Sequence, residues 1–130
     1  MSNEKQTVML VDDDIDYLNL VRMQLESSYR IIMAQSVAEA EALLKSDPPQ
    51  VAIIDLMMEN MDAGFVLCHR IKRDHPTIPV IMVTAVTSET GMEFDGDRDK
   101  NWLKADALLA KPTRAEQLVR EIKRLTGDAN

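Results

Sequence analysis

The sequence predicts an α/β protein built on a parallel sheet. Three observations carry that expectation. Five short apolar runs recur at roughly regular intervals along the 130-residue chain. Segments with apolar residues at helical spacing separate most of them. The clearest runs are apolar at every position instead of alternating, which is the pattern of strands buried on both faces. Strands that alternate with helices in this way place the helices on both faces of one sheet, joined by right-handed crossovers.

The first run is Val8-Met9-Leu10-Val11. Asp14 follows where an N-cap is needed, since its carboxylate can accept amide hydrogens that the first helical turn leaves unpaired. Ile15, Leu18, Val21 and Leu25 then share one side of a helix. Tyr29 to Ala34 reads as the second strand. Ser36 with Glu39 three residues on is a capping box for a short helix through Leu43 and Leu44. Asp47-Pro48-Pro49 stops it, because proline has no N–H to continue the ladder and disfavours helical backbone before it.

Val51-Ala52-Ile53-Ile54 is the third strand, ending at Asp55. After Gly64, the spacing of Phe65, Leu67, Cys68 and Ile71 predicts a third helix that ends near His75-Pro76. Pro79 to Val83 is the fourth strand and Ala107 to Ala110 a weaker fifth. Thr113 and Glu116 form a second capping box before Leu118, Val119, Ile122 and Leu125, which stand at helical spacing, and Gly127 comes after them near the end of the chain. The interval between the fourth and fifth strands is irregular, with Gly91, Gly96 and the charged run Asp95 to Lys100. One short helix and an extended, mobile loop are expected there.

Composition narrows the function. The length suits a single domain over residues 1–130, with a core from about 7 to 126. A net charge of −7 argues against direct binding of nucleic acid or of an anionic membrane. The single cysteine, Cys68, excludes an internal disulfide, fits a reducing cytoplasm and reads as a buried, inert thiol. No apolar stretch approaches membrane-spanning length, and Met1 to Gln6 lacks a signal-peptide core.

In open parallel sheets a ligand site lies beyond the carboxyl ends of the strands. Four strand ends carry polar groups there: Asp12 and Asp13, Asp55, Thr84, and Lys111. Like charges about 4 Å apart repel by roughly 4 kcal/mol at an effective dielectric near 20. Three converging carboxylates without an imidazole or thiolate favour a hard divalent cation, Mg²⁺ above all. Lys111 and Thr84 then suit an anion held against that cation, a phosphoryl group being the natural one. With a carboxylate at the centre, the covalent option is an aspartyl phosphate.

These residues carry a resemblance. Val11-Asp12-Asp13-Asp14, Asp55-Leu56-Met57, Val83-Thr84-Ala85 and Lys111-Pro112 resemble the response-regulator receiver family of two-component signalling, in its order and near its usual spacing from about Thr7 to Leu125. The resemblance implies a flavodoxin-like, doubly wound five-stranded sheet in the order 2-1-3-4-5. It implies that Asp55 takes a phosphoryl group from a sensor histidine kinase or a phosphotransfer protein. Asp13 and Asp55 would ligate Mg²⁺ directly, Asp12 mostly through water, and Met57 through its backbone carbonyl. Thr84 would bond a phosphoryl oxygen, Ala85 would leave access, and Lys111 would pair with the phosphoryl group, its bond to Pro112 being cis. Such a protein is a signalling switch for a downstream protein target, and catalyses only its own phosphorylation and dephosphorylation.

The chain departs from the family's pattern at four places. Leu108 replaces the aromatic switch residue, Glu59 stands where proline is usual, Ala63 is an extra residue between Asp62 and Gly64, and the stretch from Thr84 to Lys111 is long and Gly-rich. The output face is therefore expected to differ from that of a standard receiver. Met57 and Val86, two residues after Asp55 and Thr84, are apolar and cannot orient an attacking water, so slow self-dephosphorylation is expected.

Plainer readings hold elsewhere. Asp14 reads as a cap instead of a metal ligand, and Asp16 as a solvated group suited to the helix dipole. His69 and His75 show no ligand spacing and read as surface or helix-end residues. The scattered methionines read as filler. Asp95, Asp97 and Asp99 mimic a calcium loop, but Lys100 and Asp106 occupy the positions that need glycine and glutamate. Trp102 suits either an anchor or a partner surface. A phosphohydrolase of the haloacid dehalogenase type would use Asp12 and Asp14, yet Ile15 and Asp16 break its pattern and no cap domain fits. An FMN binder would need a Ser-, Thr- and Gly-rich first loop where this one is acidic. A receiver used only as a docking module would not need the complete acid, threonine and lysine set.

Overall fold

The computed structural model describes residues 5–56, 58, 63–85 and 105–127. Five strands, β1 (Thr7–Val11), β2 (Arg30–Ala34), β3 (Val51–Asp55), β4 (Val80–Ala85) and β5 (Ala107–Lys111), form one sheet in the order β2-β1-β3-β4-β5. Every neighbouring pair is parallel. Four helices stand among the described residues: α1 (Ile15–Leu25), α2 (Val37–Ser46), α3 (Ala63–Asp74) and the helix Ala115–Thr126, here α4. This is the expected doubly wound, flavodoxin-like arrangement, and it returns all four helical patterns of the sequence.

Alternation along the strands sorts the core into two layers. Met9, Val11, Ala52, Ile54, Val80 and Met82 face α2 and α3, where Leu44, Leu67, Cys68 and Ile71 are buried. Val8, Leu10, Val51, Ile53, Ile81 and Val83 face α1 and α4, packing on Leu18, Val21, Leu25, Leu118 and Ile122. Both faces of the central strands are therefore dry, which explains their unbroken apolar character.

The caps are local events and mostly follow the sequence. Asp14 Oδ1 accepts from the N–H of Asp16 at 3.0 Å and of Tyr17 at 3.3 Å. Ser36 Oγ accepts from the Glu39 N–H at 3.1 Å, while Glu39 reaches back to the N–H of Gln35. The expected Thr113–Glu116 capping box is not formed, and α4 starts without a side-chain cap bond. Arg114 is the N-cap of α4 and its N–H donates to Gln117, because the Thr113 hydroxyl is instead bonded to the Tyr17 hydroxyl. Gly127 ends α4 at φ 74°, in the left-handed region. The segment 86–104, with its expected short helix, acidic loop and Trp102, lies outside the described residues, as do Met57, Glu59 and Asp62.

Candidate functional site

Parallel register brings the strand ends to one edge. Val11 stands opposite Ile54, Asp55 opposite Val83, Thr84 opposite Ala110 and Ala85 opposite Lys111. Asp12, one step past β1, therefore lies beside the end of β3, and Lys111 ends β5 at the same level. Asp12, Asp55 and Thr84 are buried, whereas Asp13 is exposed. Ligand oxygens of Asp12, Asp13 and Asp55 all lie within 4.8 Å of one another. Lys111 Nζ is 2.9 Å from Asp12 Oδ2 and 3.6 Å from Asp55 Oδ2. The peptide bond from Lys111 to Pro112 is cis.

Among the described residues, three carboxylates converge at this edge and the Lys111 ammonium pairs with two of them. Burial opposes the charge on Lys111, but the hydrogen bond and charge of Asp12, with the charge of Asp55, outweigh it and raise its pKa. The lysine is thus held as a cation in place. It cannot neutralise three acids. The donors are all oxygens, clustered at short range, and that set fits Mg²⁺. Asp12, Asp13 and Asp55 could hold the ion, and Met57 lies outside the described residues.

Two residues not singled out as site residues in the sequence belong to the geometry. Gly64 packs against the strand end that carries Asp55, and its N–H donates to Leu56 O at 3.1 Å. A Cβ there would sit 2.1 Å from the Asp55 carbonyl oxygen and 2.6 Å from that of Leu56. Glycine is required for α3 to approach β3 so closely. Tyr17 is the other: the Lys111 ammonium lies over its ring, 4.3 Å from the centroid. Burial raises the pKa of its phenol, against the opposing Thr113 hydrogen bond and Lys111 charge. The only signal in the sequence was that Tyr17 stands three residues after the cap Asp14, in the first turn beside the acids.

Other expectations resolve plainly. Asp14 is a cap, which leaves the phosphohydrolase reading without its second acid. Leu108 is half-buried against the α2/α3 layer. Cys68 is buried, and burial pushes its thiol up to about 12. His69 lies within α3, half-buried, with its ring 4.3 Å from that of Phe65. Among the described residues no helix is long and apolar enough to cross a membrane.

Comparison with known proteins points to one family. The profile of the response regulator receiver domain matches residues 8–123. Heme response regulator HssR of Staphylococcus aureus is 32% identical over 117 residues, covering 88% of this chain and 49% of its own length. The chain thus spans about half the length of the curated relatives it matches. Among solved structures, a CheY-like receiver domain protein from Methanospirillum hungatei superposes with a TM-score of 0.80 at 24% identity, covering 96% of both chains. The receiver domain of NtrX from Brucella abortus gives 0.78 at 22% identity, over 94% of this chain and 99% of its own. At those identities the two structures speak to the fold.

Proposed function

The chain belongs to the response regulator receiver domain family, whose members act in two-component signalling, and from that premise we propose that Asp55 is its phosphoacceptor. The observation that carries the reading is the convergence of Asp12, Asp13 and Asp55 with Lys111 at one sheet edge. A carboxylate surrounded by acids and one ammonium is poised for an incoming group that brings negative charge together with a cation.

The transfer balances simply. An Asp55 carboxylate oxygen attacks phosphorus, the bond from phosphorus to the donor's imidazole nitrogen breaks, and its electron pair stays on the imidazole. Lys111, already 3.6 Å from Asp55 Oδ2, pairs with a phosphoryl oxygen as negative charge accumulates. The Thr84 hydroxyl, buried one position past the strand partner of Asp55, donates to another. Asp12, Asp13 and Asp55 would hold Mg²⁺, with the Met57 carbonyl as the further ligand that the family resemblance implies. Bound Mg²⁺ supplies neutralisation of the phosphoryl oxygens. Exposed Ala85 leaves the approach open.

Phosphorylation then biases an existing equilibrium between two conformations and alters a protein-binding face. The donor is a sensor histidine kinase or a phosphotransfer protein in the cytoplasm, and the receiver of the signal is another protein, not nucleic acid. Beyond its own phosphorylation and slow dephosphorylation the domain has no catalytic activity. Incubation with Mg²⁺ and acetyl phosphate, followed by intact-mass measurement, tests this. A single phosphoryl adduct that is absent in Asp55→Asn and decays slowly is expected; no adduct on the wild type sinks the reading.

A further inference from the structure

Tyr17 joins α1 to the turn that follows β5. Its hydroxyl lies 2.9 Å from Thr113 Oγ1, and Lys111 Nζ lies over its ring at 4.3 Å. The two contacts bracket Pro112, so one side chain grips both sides of the turn in which Lys111 ends its strand. We propose that Tyr17 is a positioning residue for phosphoryl transfer, its ring holding the Lys111 ammonium over the acids and its hydroxyl fixing the Thr113 turn against α1.

The need for such a residue follows from the lysine itself. An ammonium on a flexible four-carbon stem samples many rotamers, and ordering it costs entropy. Asp12 satisfies one direction at 2.9 Å, but 3.6 Å to Asp55 is longer than a hydrogen bond. The ring face supplies the remaining attraction through its quadrupole. It does so without lone pairs directed at the ammonium, so Lys111 stays free to turn toward a phosphoryl oxygen. A third carboxylate in that place would hold the charge but compete with the phosphoryl group for it.

The same arrangement links the acid run to the lysine. Asp14 caps α1 by accepting from the N–H of Tyr17 itself, which sets where the ring leaves the helix. Tyr17 is only partly buried, so the cavity of its removal would be open to solvent, and the fold should tolerate its loss.

The transfer part of this inference rests on Asp55 being the acceptor, whereas the holding of Lys111 stands on geometry alone. Two readouts separate them. NMR of the ¹³C-labelled full chain reports the ring-current shift of the Lys111 ε-methylene, and acetyl phosphate titration with Mg²⁺ reports the rate of adduct formation. Tyr17→Leu should abolish the shift and lower the maximal rate by about threefold to fivefold, the scale of a cation–π contact at a partly exposed site. The half-saturating donor concentration should change little. Tyr17→Phe should keep the shift, and Thr113→Val should match Tyr17→Phe in rate, with the double variant no slower than either.

A folded Tyr17→Leu that reacts at the wild-type rate, or a Tyr17→Phe as slow as Tyr17→Leu, overturns the role of the ring. If the wild type forms no adduct, the acceptor reading falls by itself. The lysine resonance then decides alone, and its being unchanged in Tyr17→Leu overturns the holding.

Discussion

Two lysine–aspartate pairs sit at opposite ends of the sheet and look alike until their surroundings are compared. Lys111 meets Asp12 at 2.9 Å at the carboxyl end, and Lys72 meets Asp106 at 3.0 Å at the amino end. The lysine side chains are equally covered, at 22% and 23% exposure. Around Lys72 the account closes with backbone groups: its ammonium also donates to Ile78 O, and Asp106 Oδ2 also accepts from the Val80 N–H at 2.8 Å. Around Lys111 the acids are more numerous, since Asp55 and Asp13 add two further carboxylates. A lysine–aspartate pair by itself therefore says nothing of function. The cluster of acids around it does.

Replacing each lysine by methionine breaks the comparison most directly. Lys111→Met leaves Asp12, 2% exposed, buried beside two like charges, and should cost about 3 kcal/mol in Mg²⁺-free buffer. Lys72→Met leaves Asp106, 34% exposed, still bonded to the Val80 N–H, and should cost about 1 kcal/mol. Urea unfolding measures both. Equal losses would mean that the two ends of the sheet are electrostatically equivalent and that the surplus at the carboxyl end is screened away.

Mg²⁺ should act on one end only. At a hundred times its dissociation constant it should stabilise the wild type by about 2.7 kcal/mol, read as a rise in Tm. Asp13→Asn should shift two quantities in opposite directions: the Mg²⁺-free protein becomes more stable as repulsion is relieved, and the Mg²⁺ increment shrinks. Asp106→Asn should leave that increment intact. An Asp13→Asn protein that is less stable without Mg²⁺ would show that the cluster is not under repulsion.

The asymmetry between the two ends also governs what could be read in the sequence. Asp12, Asp13, Asp55, Thr84 and Lys111 were legible because each terminates or follows an apolar run, and parallel topology carries run-ends to one edge. Asp14 and Ser36 were legible because capping is local. The Lys72–Asp106 pair was not, since its partners are 34 residues apart and neither marks a strand end in a recognisable way. The Thr113 capping box failed for the same reason: a hydroxyl that suits a local cap was taken by Tyr17, 96 residues away. Gly64 reads from sequence as a helix-start glycine, and only the proximity of the Asp55 carbonyl shows what excludes a side chain there.

The smallest effect separates the third acid of the run from its neighbours. Asp14 touches the acid cluster through its backbone, its N–H donating to Asp12 Oδ1 at 2.9 Å, while its side chain accepts from the first turn of α1. Asp14→Ala should therefore cost about 1 kcal/mol, the ordinary loss of an N-cap, with the backbone bond to Asp12 retained. The Mg²⁺ increment should be that of the wild type, unlike Asp13→Asn one residue earlier. Equal loss of the increment in the two variants would place Asp14 among the ligands. The cap bonds at 3.0 and 3.3 Å would then have to break on metal binding, and with them the turn that carries Tyr17 to Lys111.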